Sequence, residues 1–229
     1  MYEATENDKV DIIVGKLRYV WPDGRNSKTF YNDFFINEEV KEITVDLKFD
    51  RQCWELFAKS HVFNRLYRRK FVVENDIKCS EGLIFEDVFF NLVANLLAKQ
   101  TKVVNLVTYN YLRRDNSIMT DAKSKRSFMD IFRVLEESYK ELSRRKLTDY
   151  KYIFDFITLD THLTYRQRFA ELYDKSCIDK YSLDEDEYAY IVSVVTEIIS
   201  KTSLETLSLL DDEKRSLYLS FCDSANIRK

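Results

Sequence analysis

Near Asp121 the spacing of apolar residues changes from the two-residue alternation of strands to the 3.6-residue period of helices. Short β-type runs dominate before that point and disappear after it, so the chain is expected to build a mixed region and then a helical one. Before the switch, "VDIIVGKLRYVW" (10–21) and "KTFYNDFF" (28–35) flank the turn residues Pro22 to Arg25, and "KEITVDLKF" (41–49) and "KVVNLVTYNYL" (102–112) add two more strand-like runs rich in β-branched and aromatic residues. Short helices are expected over Arg51 to Lys59 and Arg69 to Asn75. A longer one begins at Glu86, because Phe89, Leu92, Val93, Leu96 and Leu97 recur at helical spacing. After the switch, Phe128, Ile131, Phe132 and Leu135 form one stripe, and Tyr152, Ile153, Phe156 and Ile157 form another. Ser182 with Glu185, and Thr202 with Glu205, have capping-box spacing. The expected fold class is α+β: a mixed α/β region over 1–121, then an α-helical bundle of about four or five helices over 122–229.

Composition narrows the class further. A chain of 229 residues with only 3 Gly and 1 Pro, and 45% hydrophobic residues, is long enough and apolar enough to bury a core. Its net charge of −3 gives no electrostatic case for nucleic acid as a partner. The basic word "NRLYRRK" (64–70) therefore reads as a solvated element. Cys53, Cys79, Cys177 and Cys222 are widely separated, without a CxxC pair or a histidine at ligand spacing, so they read as reduced thiols and not as a zinc site. His61 and His162 are likewise isolated. No apolar run reaches the roughly 20 residues of a membrane span, and no signal peptide opens the chain, so a cytoplasmic location is expected.

Two adjacent carboxylates, Glu86 and Asp87, interrupt the apolar stretch "SEGLIFEDVFFNLVANLLAKQ" (80–100). At the start of a helix they gain about 0.3 to 1 kcal/mol from the macrodipole, which alone would explain them. The words around them carry more information. "NRLYR" (64–68), "CSEG" (79–82), the Glu86–Asp87 pair before an apolar helix, and "YNYLRRDNSI" (109–118) occur in this order. In order and spacing this segment resembles the C-terminal half of the catalytic domain of family 2 glycosyltransferases of the GT-A fold. There the corresponding words read "N-K-L-Y-R", "F-P-E-G", "E-D" and "Y-Y-Y-R-x-R-x-x-S-I". "DKVDIIVGKLRYVW" (8–21) is similar to the strand that follows the donor site in that family.

The resemblance implies an inverting sugar transfer, in which a base removes the acceptor hydroxyl proton as that oxygen attacks the anomeric carbon and the nucleotide diphosphate leaves. It casts Asp87 as that base, with Glu86 holding the acceptor or shaping the site. A positioned carboxylate contributes about 10² to 10⁴ in rate, roughly 3 to 5 kcal/mol of barrier. It also places Arg113, Arg114 and Ser117 by the donor diphosphate, where guanidinium groups neutralise developing charge. Some relatives carry a metal-binding histidine in that loop; Leu112 to Ser117 contains none.

The family's nucleotide-binding half, with an Asp-x-Asp holding a divalent Mn or Mg ion, has no counterpart here. The one Asp-x-Asp is Asp184 to Asp186, at an expected helix start. The chain is accordingly expected to be the acceptor-side part of such an enzyme, inactive alone and binding no metal by itself. Its implied partners are a nucleotide-sugar donor, bound through the absent half, and a polysaccharide or lipid-linked acceptor of the cell-surface or teichoic-acid type. Work at the inner face of the membrane, and homo-oligomers formed through the helical region, fit the same resemblance. Tyr181, Tyr188 and Tyr190 offer a candidate sugar-binding face in that region. The alternative is a non-catalytic interaction or glycan-binding module.

Overall fold

The structure is a computed structural model that describes residues 1–5, 9–24, 29–31, 34–35, 39–46, 51–58, 61–113 and 124–227. It divides into two compact units, Met1–Cys79 with Phe90–Thr120, and Ser80–Phe89 with Asp121–Lys229.

Among the described residues the first unit is organised by five strands: β1 (Ile12–Val20), β2 (Thr29–Phe30), β3 (Glu42–Val45), β4 (Arg65–Tyr67) and β5 (Thr101–Leu112). β1 and β5 run parallel at the centre, β3 pairs antiparallel with β5, and β2 and β4 pair antiparallel with β1 at its two ends. The β-branched and leucine side chains of Ile12, Ile13, Val14 and Leu17 are buried, as a central strand with both edges paired requires. Helices α1 (Glu55–Ala58), α2 (Arg69–Glu74) and most of α3 (Glu86–Leu97) belong here too. Of the expected α3 stripe, Leu92, Val93 and Leu96 are buried, while Phe89 and Leu97 are half-buried. Two asparagines on the same helix hold it in place: Asn91 Nδ2 donates to the Leu56 carbonyl at 3.1 Å, and Asn95 Oδ1 accepts from Arg65 Nη1 at 3.0 Å.

The word "NRLYRRK" departs from the expected solvated reading. Asn64 is 1% exposed and Arg65 8%, because this segment supplies β4. Asn64 Nδ2 donates to the Gly15 carbonyl at 2.6 Å, and the Asn64 carbonyl accepts from the Gly15 amide at 2.9 Å. Arg68 forms an ion pair with buried Asp11, whose other oxygen accepts from the Lys99 amide at 2.8 Å. A buried cation must be paired or hydrogen-bonded, and Arg65 donates to Asn95 Oδ1 and to the Leu56 carbonyl.

Gly15 sits where the β1–β5 register shifts, and a Cβ placed on it would collide with the Thr108 side chain. Gly15→Ala is therefore expected to destabilise the fold by about 1 to 3 kcal/mol through overpacking, seen as a lower denaturation midpoint. Thr108→Ala in the same chain should recover part of the loss.

The second unit holds α4 (Lys125–Arg144), α5 (Lys151–Ile157), α6 (Arg168–Tyr173), α7 (Ser176–Tyr181), α8 (Glu185–Lys201), α9 (Leu204–Ser208) and α10 (Asp212–Ser224). The expected α4 stripe is buried at Phe128, Ile131, Phe132 and Leu135. On α5 the buried face is Ile153, Phe154 and Ile157, while Tyr152 is 40% exposed, so the expected stripe was one position out of phase. There are more helices than the four or five expected, because the breaks fall at residues that carry no stop signal. Lys146, Gln167, Lys175 and Ser182 all adopt positive φ, the conformation that glycine usually supplies at a helix end. Capping also shifts. Asp184, not Ser182, caps α8 in a reciprocal box with Glu187, and Ser203, not Thr202, caps α9. Among the described residues no helix is long and apolar enough to cross a membrane.

Candidate active site

The acidic pair occupies the first turn of α3, with Glu86 exposed and Asp87 half-buried. The helix does not begin on a Ser, Thr, Asp or Asn cap. It begins on Phe85, whose φ is +73° and whose carbonyl accepts from the Val88 amide at 3.0 Å. A bulky aromatic residue in the left-handed region is an outlier worth about 1 to 3 kcal/mol, held only when its surroundings over-determine it.

Those surroundings belong to the second unit and grip the loop Ser80–Phe85 at four points. Ser80 Oγ donates to Glu137 Oε2 at 2.7 Å. The Gly82 carbonyl accepts from Arg126 Nη2 at 2.9 Å. The Ile84 amide donates to Asp130 Oδ2 at 3.0 Å. The buried guanidinium of Arg168 lies 5.1 Å from the centre of the Phe85 ring. Asp130 is 1% exposed, amid the apolar stripe of α4; its other oxygen accepts from Arg133 Nη1 at 2.9 Å. Arg168 also donates to the His162 carbonyl at 2.9 Å. Burial, and then the Arg168 charge, pull the His162 imidazole down from 6.5 to about 3.

Chemically, a carboxylate on a helix start lies at the positive end of the macrodipole. Partial exposure at Asp87 leaves it able to accept a proton from a docked hydroxyl. Sequence reading singled out the pair and did not anticipate the contacts made to the loop before it. The signal for Asp130 was its position: a carboxylate between Met129 and Ile131 on an otherwise apolar helix face.

Arg113 belongs to the first unit, so Asp87 and Arg113 are placed by different parts of the fold. The Arg113 amide donates to the Val20 carbonyl at 2.7 Å, and its guanidinium lies 5.1 Å from the Tyr19 ring centre. Tyr19 in turn contacts Trp21, Phe30, His61 and Tyr111 within ring-stacking distance. Arg114 and Ser117 lie outside the described residues. Among the described residues, no three His, Cys, Asp or Glu side chains come close enough to hold a metal ion. Asp184 of the Asp-x-Asp is engaged as a helix cap, its carboxylate accepting from the Glu187 amide at 2.9 Å. The tyrosines of the helical region are also committed: Tyr181 is stacked on Phe128 with ring centres 4.2 Å apart, and the Tyr188 and Tyr190 hydroxyls donate to the Leu172 carbonyl and to Glu136.

A mixed α/β region followed by helices is the class that these elements define, and solved structures share that fold. The chain is similar to S. aureus TarS, with a TM-score of 0.59 and 16% identity over 95% of this chain and 34% of that one. It also resembles TarS 1-349 in complex with UDP-GlcNAc, with a TM-score of 0.57 and 15% identity over 97% of this chain and 62% of that one. TarS 1-349 alone gives a TM-score of 0.57 and 14% identity over 97% and 61%. The chain thus spans less than two thirds of the length of these structures. At such identities the likeness is one of fold. No protein family and no curated protein matches the sequence.

Proposed function

We propose that this chain carries the acceptor side of an inverting family 2 glycosyltransferase of the GT-A fold, with Asp87 as general base. The observation that carries the reading is the acidic pair itself. It is held in the first turn of α3 directly behind the left-handed Phe85, in a fold shared with a protein crystallised with UDP-GlcNAc, a nucleotide sugar. Backbone outliers of this kind concentrate at working sites.

In this account Asp87 accepts the proton of an acceptor hydroxyl while that oxygen bonds to the anomeric carbon. The bond from that carbon to the diphosphate breaks on the opposite face, and the nucleoside diphosphate leaves with the electron pair. Glu86, exposed one residue earlier, holds the acceptor. By the family resemblance, Arg113, Arg114 and Ser117 are the residues assigned to the departing diphosphate, where guanidinium donors offset charge as it develops. The acceptor is a cell-surface polysaccharide or a teichoic-acid-type polymer, approached at the cytoplasmic face of the membrane. Donor binding, and the Mn or Mg ion that goes with it, belong to a nucleotide-binding half outside these residues, so the chain alone is expected to be inactive.

The test is a transfer assay over a panel of nucleotide sugars and polyol-phosphate or glycan acceptors. It compares the chain alone with the chain joined to a nucleotide-sugar-binding half ahead of Met1. Turnover is expected only in the second protein. Turnover by the chain alone would overturn the divided-site account. Acceptor binding without turnover in either protein would favour an interaction module.

A further inference from the structure

We infer that Asp130, on a helix 46 residues away from the loop it holds, is the positioning residue for the acidic pair, and that the helical region therefore sets the geometry of the site. The inference rests on the proposed role of Asp87.

A carboxylate buried to 1% exposure between Phe128, Met129, Ile131 and Phe132 needs a reason to be there. Burying a charge is costly, and an apolar side chain of similar size usually serves stability as well or better. What an apolar side chain cannot do is take a hydrogen bond from a backbone amide at one fixed place. Asp130 Oδ2 does this at the Ile84 amide, at 3.0 Å, one residue before Phe85 and two before Glu86. Arg126 and Arg133 compensate its charge from the same helix. Arg126 reaches on to the Gly82 carbonyl, so one carboxylate and one guanidinium together fix both sides of Leu83.

The consequence falls on Phe85. Its positive φ turns the chain from the loop into α3 and so sets the direction in which the Asp87 carboxylate leaves the helix start. A left-handed aromatic residue relaxes when nothing holds it. Here the amide on its N-terminal side is pinned by Asp130, and its ring lies against Arg168. Without Asp130 the loop could swing the first turn of α3 by a fraction of an ångström without unfolding anything. A displacement near 1 Å can cost about 10² in rate.

Asp130→Leu tests this, read beside Asp130→Asn and Asp87→Asn in the donor-half fusion. Asp130→Leu is expected to lower kcat by about 10 to 10² with donor KM unchanged and the thermal midpoint kept. Asp130→Asn retains an oxygen acceptor and should recover most of the activity. Asp87→Asn should remain inactive. Loss of activity in Asp87→Asn with full kcat in Asp130→Leu would overturn the positioning role and leave the base assignment standing. Full activity in Asp87→Asn would overturn both. A second measurement needs no turnover and covers the case in which Asp130→Leu does not fold: amide hydrogen exchange in the unmodified chain and in Asp130→Asn. The Ile84 amide is expected to be protected in both. Exchange at the unprotected rate in the unmodified chain would overturn the inference.

Discussion

Asp87→Asn is expected to lower sugar transfer in the donor-half fusion by about 10² or more while the protein remains folded. The substitution keeps the size of the side chain and its place in the first turn of α3, and removes only the ability to take a proton. Glu86→Gln should act differently. Glu86 is exposed and precedes Asp87 on the helix, so its loss should raise the acceptor KM more than it lowers kcat, by about tenfold or less. Equal losses in kcat from the two substitutions would remove the distinction between base and acceptor holder. Unchanged activity in Asp87→Asn would return the carboxylate to a purely structural role at a helix start, where the macrodipole alone accounts for it.

Acidification should destabilise the fold before its carboxylates begin to titrate. His162 is held neutral by burial and by Arg168, with its pKa down from 6.5 to about 3. The unfolded chain takes up this proton as pH falls below 6.5 and the folded chain does not, so the stabilisation is complete above 6.5 and declines toward 3. The loss should reach about 2 kcal/mol by pH 5, rising to about 4 to 5 kcal/mol near pH 3. Glu141, held down to about 2 by Arg144 and Arg145, adds its own loss only below the ordinary carboxylate range near 4.5. The window from 6.5 down to 5 is therefore a histidine window, and the chain has 2 histidines. Denaturant unfolding at a series of pH values should show this slope in the native chain. In His162→Leu the slope should fall sharply, whatever that change does to stability at pH 7. A slope that survives the substitution would show that another group titrates.

The fold was legible wherever local pattern and burial agree. The α4 stripe and most of the α3 stripe follow from apolar spacing, and the strands around β1 and β5 follow from their β-branched runs. β4 was not legible, because it lies in a word of arginines that looks solvated. It is held by partners far along the chain that grip the residues on either side of it, Gly15 for Asn64 and Asp11 for Arg68. The helix breaks of the second unit were hidden for a local reason: with 3 Gly in the whole chain, lysine, glutamine and serine take the left-handed positions. The candidate site divides in the same way. Glu86 and Asp87 could be read from an acidic pair set in an apolar run. The turn at Phe85 could not, since nothing about a phenylalanine announces positive φ, and the Asp130 contact that supports it spans 46 residues.

An inverting transfer leaves its signature in the stereochemistry of the product. The donor-half fusion would be given UDP-GlcNAc, whose sugar is α-linked to the diphosphate, and a polyol-phosphate or glycan acceptor. The anomeric proton coupling of the new linkage would then be read by NMR. A single displacement assisted by Asp87 predicts a β-linked product formed from the first turnover, and its loss in Asp87→Asn. An α-linked product formed at the same site would contradict the account.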